Sequence, residues 1–218
     1  MITEEEWDRL FDRLMPLFSV GIGGLSIALT IMALMRSSPL GQRVYYQDGQ
    51  YQVAVRYPGQ WNFLQDFVQP NNPDVLAIFS QYGPGYWSLY DFVCRNVDYR
   101  RDIGEFWQMP SETLKGQGDC EDTSILLTSL IRAGGSPNCY VALGSLGGLG
   151  HAWCLYNGQI LETTYTYARQ TAPRDYRLMA LFNNVEVLEL YPNSLAEVFG
   201  LARDEAAKLD LIAQALGD

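Results

Sequence analysis

The sequence predicts an α+β fold, in which one helix packs on a mainly antiparallel sheet and a separate transmembrane helix precedes the globular part. A helical apolar face begins at Cys120 and ends before Gly134, and strand-like segments follow it along the chain. An uncharged run over residues 17–35 has the length that one crossing of a bilayer requires, about 20 residues. Together these patterns predict a membrane-anchored globular domain.

Residues 1–36 are predicted to form two helices. The first, over 1–16, alternates apolar and charged residues at helical spacing, so it either lies on the membrane surface or packs on a neighbouring element. The second, over 17–36, is predicted to span the membrane. Its acidic start and the lack of an Ala-x-Ala site argue against a signal peptide, and the lack of a polar stripe argues against a buried core helix.

The predicted anchor leaves two properties open. Arginines flank both of its ends, so the side of the membrane on which the globular domain lies is undetermined. Glycines within the run permit close packing of two helices, so a homo-oligomer through this segment is possible.

Three parts follow the predicted anchor. They are a connector with β-hairpin character over 37–73, a main domain over 74–190 and a C-terminal helical extension over 191–218. Asp48-Gly49, between two β-rich runs, is the hairpin signal in the connector. The prolines at 70 and 73 mark the start of the main domain.

The main domain reads as helices followed by strands. Helices are predicted over 74–82 and 86–97, with a short helical turn after Pro110. Strands are predicted over 140–143, 151–156 and 159–163, with further strand-like segments over 177–190 and one or two amphipathic helices over 195–216. Four glycines within residues 144–150 predict a loop, which is either a mobile edge of a cleft or a plain hairpin loop.

Composition excludes several classes of function. The chain has 218 residues and a net charge of −10, so it offers no basic surface for nucleic acid. Its four cysteines have neither the spacing of a CxxC metal site nor the density of a disulfide scaffold. We therefore expect neither a metal nor an organic cofactor.

Cys120 is a candidate nucleophile. Asp119 is a good N-cap and Asp122 occupies the capping-box position, so Cys120 lies in the first turn of a helix, where the dipole lowers the pKa of a thiol. Asp119, Glu121 and Asp122 oppose a thiolate. However, consecutive helical side chains point about 100° apart, so these carboxylates can face away from the sulfur. The alternative is a buried structural cysteine.

His151 is the only histidine of the chain, and it opens a predicted strand. Asn157-Gly158 predicts a tight hairpin turn to the next strand, which ends near Glu162. The hairpin makes His151 and Glu162 cross-strand neighbours. A thiol, an imidazole and a carboxylate in this order are the parts of a Cys-His-acid triad.

These segments resemble the transglutaminase-like superfamily, the branch of papain-like thiol enzymes that includes bacterial and archaeal transglutaminase-like cysteine proteinases. The resemblance covers roughly residues 74–190. It is carried by Gly118-Asp119-Cys120-Glu121-Asp122, His151-Ala152-Trp153 and Leu161-Glu162-Thr163-Thr164.

The resemblance implies a papain-like fold and gives each residue a role. Cys120 would be the nucleophile and His151 the base, while Glu162 occupies the position where most members have Asp. The backbone N–H of Cys120 would be one oxyanion donor, and Gln117 and Trp107 are candidates for the second.

The expected function is that of a thiol enzyme acting on an amide of a protein or peptide through a Cys120 thioester. Hydrolysis is favoured over transamidation because the domain is small and shows no accessory barrels or calcium loop. A catalytically silent binding or structural module of the same fold is the alternative. The expected location is a membrane, through residues 17–35.

Overall fold

The computed structural model describes residues 43–100, 106–201 and 205–217. The amphipathic helix predicted over 1–16 and the transmembrane helix predicted over 17–36 lie outside these residues. Within the described ranges, no helix is both long enough and apolar enough to span a membrane. Membrane attachment therefore stays a prediction from the sequence.

A three-stranded antiparallel sheet begins the described chain. Its strands, in order across the sheet, are β1 (Val44–Gln47), β2 (Gln50–Val53) and β3 (Asn62–Phe63). Asp48 and Gly49 join β1 to β2 with φ angles of 53° and 81°, the positive values that two-residue hairpin turns favour. The hairpin predicted in the connector is thus confirmed.

Helices fill the chain between this sheet and the main sheet. They are α1 (Pro73–Tyr82), α2 (Tyr86–Asn96), α3 (Pro110–Thr113) and α4 (Cys120–Ala133). Every residue of α4 from 120 to 131 is buried, so α4 is a central helix rather than a surface one. Two short parallel strands, β4 (Asp98–Tyr99) and β5 (Gln117–Gly118), fix the chain just before α4.

The main sheet has five antiparallel strands and packs against α4 through β6 and β7. Its order is β10-β9-β6-β7-β8. The strands are β6 (Cys139–Leu146), β7 (Leu149–Tyr156), β8 (Gln159–Leu161), β9 (Tyr176–Phe182) and β10 (Val187–Glu189). An α+β fold with a helix on a mainly antiparallel sheet is therefore confirmed.

The glycine-rich segment over 144–150 is not the long loop that its composition predicts. Strands β6 and β7 continue through it and are joined by a two-residue turn at Gly147-Gly148, with φ angles of 57° and 84°. Gly144 lies inside β6, where a Cβ atom would come within 1.9 Å of the Arg177 carbonyl oxygen. Of the two predicted alternatives, the structure therefore has the plain hairpin connection, and Gly144 serves a close backbone approach within the sheet.

Two C-terminal helices, α5 (Ser194–Gly200) and α6 (Glu205–Gly217), agree with the predicted helical extension. The core includes residues well before position 74. Val53 and Phe67 share one apolar cluster with Cys120 and Ala152. The predicted connector thus contributes to the packing around the candidate nucleophile.

Candidate active site

Hydrogen bonds at the start of α4 hold Cys120 in place. Asp119 and Asp122 form the predicted capping box, in which the Asp119 N–H donates to Asp122 Oδ2 at 3.2 Å. The other oxygen, Oδ1, accepts a hydrogen bond from the Gln108 N–H at 2.7 Å. Gly118 is needed here, since a Cβ atom on it would lie 2.8 Å from the Cβ of Asp122. Cys120 therefore sits at the helix end whose dipole favours negative charge.

The thiol of Cys120 is buried and has two polar neighbours. Its Sγ donates a hydrogen bond to Glu121 Oε2 at 2.9 Å, and Lys208 Nζ lies 3.7 Å from the same sulfur. The expectation that these carboxylates can face away from the thiol is wrong for Glu121. Burial raises the pKa of the Cys120 thiol well above its ordinary value, the Glu121 charge raises it further, and the Lys208 ammonium opposes this. In this arrangement Cys120 is a protonated thiol.

His151 and Glu162 form a buried pair. The tight turn at 157–158 sets the antiparallel register of β7 and β8. Continuing this register by one residue puts Glu162 opposite Trp153, so His151 is its diagonal neighbour, at a separation that a long side chain can bridge. His151 Nε2 and Glu162 Oε2 lie 2.8 Å apart, with side-chain exposures of 1% and 0%.

Both carboxylate oxygens of Glu162 are engaged by donors. Oε1 accepts hydrogen bonds from the Thr164 N–H at 2.9 Å and the Thr164 hydroxyl at 2.6 Å. Oε2 accepts one from the Tyr176 hydroxyl as well as facing His151. Burial raises the pKa of Glu162, but the His151 charge and these donors together lower it to about 2. Glu162 is therefore ionised at neutral pH and can stabilise an imidazolium.

The second ring nitrogen of His151 is uncommitted. Nδ1 is buried and has no hydrogen-bond partner among the described residues. The Cys120 thiol donates to Glu121, so within the same residues no hydrogen bond joins Cys120 to His151. His151 thus contacts Glu162, whereas the Cys120 thiol contacts Glu121.

Hydroxyl groups connect the start of α4 to the segment that carries Glu162. Thr163 Oγ1 lies 2.7 Å from Thr123 Oγ1 and 3.2 Å from Ser124 Oγ. The Ser124 hydroxyl also donates to the Cys120 carbonyl at 2.6 Å. The first turn of α4 is therefore packed directly against the residue that follows Glu162.

The two candidates for the second oxyanion donor lie in different surroundings. Gln117 is exposed on β5, where its Oε1 accepts a hydrogen bond from Arg100 Nη1 at 2.6 Å. Trp107 is buried, and its ring stacks on Phe182 and Phe199 at centroid distances of 6.0 and 5.6 Å. Their role as oxyanion donors stays a prediction.

The other cysteines are buried free thiols in a second apolar cluster. Cys139 and Cys154 face each other with 3.6 Å between their sulfurs. Burial raises the pKa of Cys94 above its ordinary value. None of the three lies in the cluster that contains Cys120.

One group in the described part of the chain has the composition of a metal site. The carboxylates of Asp119 and Glu121 and the sulfur of Cys120 place their ligand atoms within 4.8 Å of one another. These donors suit a cation in general, and their spacing does not select a particular one.

Two residues at this site were missed by the sequence analysis. Tyr176 binds Glu162 from β9, and Lys208 reaches Cys120 from α6. Neither lies in a motif. Lysine side chains are rarely buried, and the mixed polarity of this helix gives no signal in the sequence that Lys208 would be.

Comparison with known proteins gives structural likenesses. No family model and no curated protein matches the sequence. Solved structures of LapG from Legionella pneumophila are similar to this chain. The EGTA-treated form has a TM-score of 0.45 and 17% identity over 69% of this chain and 94% of LapG. The calcium-bound form has a TM-score of 0.38 and 18% identity over 54% and 86%. These values describe a loose likeness only.

Proposed function

We propose that this protein is a transglutaminase-like thiol enzyme of papain-like fold that breaks an amide bond of a protein or peptide through a Cys120 thioester. The observation that carries this proposal is the buried His151–Glu162 pair. One ring nitrogen faces an ionised carboxylate at 2.8 Å, and the other has no hydrogen-bond partner among the described residues. Buried polar atoms are usually satisfied, so an uncommitted imidazole nitrogen supports a role in proton transfer.

Each step of the proposed reaction has a group to carry it. His151 takes the proton of the Cys120 thiol, and the sulfur attacks the carbonyl carbon of the amide. The Cys120 N–H at the start of α4 stabilises the oxyanion. The C–N bond then breaks, His151 gives its proton to the leaving amine, and the acyl group stays on sulfur as a thioester.

Deacylation restores the enzyme. His151 takes a proton from the incoming acceptor, which attacks the thioester carbonyl and displaces the sulfur. The proton then returns to Cys120. Water as acceptor yields a carboxylic acid, and an amine yields a new amide. We favour water, because excluding it requires a specialised site for the amine. Glu162 holds the ring and stabilises its cation throughout.

We also propose that residues 17–36 anchor the enzyme in a membrane. The support is the uncharged run of spanning length in the sequence. Deletion of residues 1–36 should move the protein from the membrane to the soluble fraction of a cell lysate while its circular dichroism stays that of a folded domain. A truncated chain that still sediments with membranes would contradict the anchor.

A small activated ester tests the enzyme proposal without knowledge of the substrate. p-Nitrophenyl acetate transfers its acetyl group to a reactive sulfur, and peptide mass mapping locates the adduct. We expect acetylation at Cys120, loss of this adduct in Cys120→Ala, and slower acetylation in His151→Gln by about 10²-fold or more. Cys154→Ala is the matched control and should behave as the wild type. Equal rates in His151→Gln and the wild type would favour the silent module instead.

A further inference from the structure

The C-terminal helix α6 presents one face to the rest of the domain. Lys208, Leu211 and Ile212 share this face at helical spacing, and Leu209 on the other side is exposed. Lys208 is only 2% exposed, which is unusual for a lysine. The helix is therefore held by its buried face rather than lying loosely on the surface.

This face of α6 spans the candidate site. The Lys208 ammonium lies 3.7 Å from Cys120 Sγ. The same sulfur donates a hydrogen bond to the carboxylate of Glu121. One turn further along α6, the Leu211 side chain packs against Gly147, in the turn between β6 and β7. The contact is so close that a Cβ atom added to Gly147 would lie 2.6 Å from Leu211 Cδ1. The helix thus bridges Cys120 and the hairpin that carries His151.

The consequence for chemistry is that the thiol is covered. Cys120 is 1% exposed, and a sulfur must be open to its substrate before it can attack a carbonyl carbon. The site nevertheless accommodates a primary ammonium, since Glu121 and Asp119 supply negative charge beside the sulfur. A buried cation needs such compensation, so this position is electrostatically suited to an amine.

We propose that α6 is an intramolecular competitor of the substrate: its Lys208 occupies a subsite for a primary ammonium group beside Cys120, and the helix leaves this position when an amine-bearing substrate binds. This inference rests on the proposed function for the identity of the substrate cleft. It adds the class of substrate, a peptide or protein with a lysine-like cation next to the bond that reacts.

Alkylation of Cys120 tests the subsite and the cover without any need for catalysis. In each case the sulfur displaces a halide and releases its proton to the buffer. Iodoacetamide is a neutral reagent, and 2-bromoethylamine carries a primary ammonium. The ratio of their rates on the urea-unfolded chain gives the intrinsic preference, and peptide mass mapping separates Cys120 from the other three cysteines.

Two variants with matched controls separate the parts of the proposal. Leu211→Ala should speed alkylation of Cys120 by both reagents about tenfold, because it weakens the docking of α6. The control Leu209→Ala should leave both rates unchanged. Lys208→Ala empties the subsite, so it should favour 2-bromoethylamine about tenfold over the unfolded-chain ratio. The ratio is the readout because loss of the Lys208 ammonium also raises the pKa of the thiol, which slows both reagents alike. The control Lys115→Ala, on an exposed residue, should match the wild type.

The outcomes are distinct. Wild-type rates in Leu211→Ala would overturn the proposal that α6 covers Cys120. A rate ratio in Lys208→Ala equal to that of the unfolded chain would overturn the ammonium subsite. Thermal unfolding of each variant shows whether the domain is folded. If Lys208→Ala does not fold, Leu211→Ala still tests whether α6 covers Cys120. If alkylation is selective for the cationic reagent but acetylation of Cys120 does not depend on His151, the ammonium subsite and the cover by α6 stand and the enzyme proposal is rejected.

Discussion

Replacing Glu162 with glutamine removes one charge at a buried position and almost no volume. In the wild type, both oxygens accept hydrogen bonds, from Thr164 on one side and from Tyr176 on the other, where Oε2 also faces His151. Glutamine can keep its oxygen toward Thr164. Its amide group then meets His151 and Tyr176 with donors, so the ring must change its tautomer or lose the contact.

The size of the effect follows from the pKa of Glu162. It falls from an ordinary 4.5 to about 2. At about 1.4 kcal/mol for each tenfold change in the acid dissociation constant, this corresponds to roughly 3 kcal/mol in favour of the ionised form. We expect Glu162→Gln to lose up to this free energy of unfolding, the full amount applying when the His151 ring is charged. If the same charge stabilises the imidazolium, the rate should fall by about 10²- to 10⁴-fold.

Two measurements check this prediction. Urea denaturation gives the free energy of unfolding, and acetylation of Cys120 by p-nitrophenyl acetate gives the rate. Glu186→Gln, at an exposed carboxylate, is the matched control and should change neither by much. Unchanged acetylation in Glu162→Gln would refute its role as the acid, leaving a Cys-His dyad or a ring held by another polar group such as Thr164.

Three further predictions concern Glu162, its donor Tyr176 and the sheet that carries His151. The contribution of Glu162 to stability is present above pH 4.5 and is lost as the pH falls through about 2, so acid titration followed by circular dichroism should show a steeper loss for wild type than for Glu162→Gln. Tyr176→Phe removes a donor to a buried carboxylate and should cost about 1.5–3 kcal/mol in urea denaturation, more than Tyr140→Phe, whose hydroxyl meets an exposed glutamate. Gly144→Ala should lower the free energy of unfolding by about 1–3 kcal/mol, because its Cβ meets the carbonyl oxygen of Arg177. The control Gly200→Ala, whose Cβ would meet nothing within 4 Å, should be tolerated, and equal melting temperatures of the two variants would contradict this.

The parts of the site that the sequence predicts are those set by local geometry. The capping box places Cys120 at a helix start through residues within two positions of it. The two-residue turn at 157–158 places Glu162 diagonal to His151 through a short antiparallel register. In both cases the relevant neighbours are close along the chain, so spacing and turn chemistry determine the contact.

The parts that the sequence does not predict come from distant elements. Lys208 lies 88 residues from Cys120, and its contact depends on how α6 docks. Tyr176 reaches Glu162 because β9 pairs with β6 across the sheet, which no local pattern specifies. The orientation of Glu121 toward the thiol is also not specified by local pattern, since helical geometry alone allows the carboxylate to point elsewhere.

The apolar cluster that contains Val53, Phe67 and Cys120 determines how far the chain can be truncated from its N-terminal side before the domain loses core residues. Phe67 meets the Trp107 ring edge-on at a centroid distance of 5.4 Å, and both belong to that cluster. A fragment starting at residue 74 would lose Val53 and Phe67, each contributing about 1.5–3 kcal/mol by burial. It would also open a hydrophobic face next to the candidate nucleophile. A fragment that is to fold when fused to another protein must therefore begin no later than Arg43, so that it includes the β1–β2 hairpin.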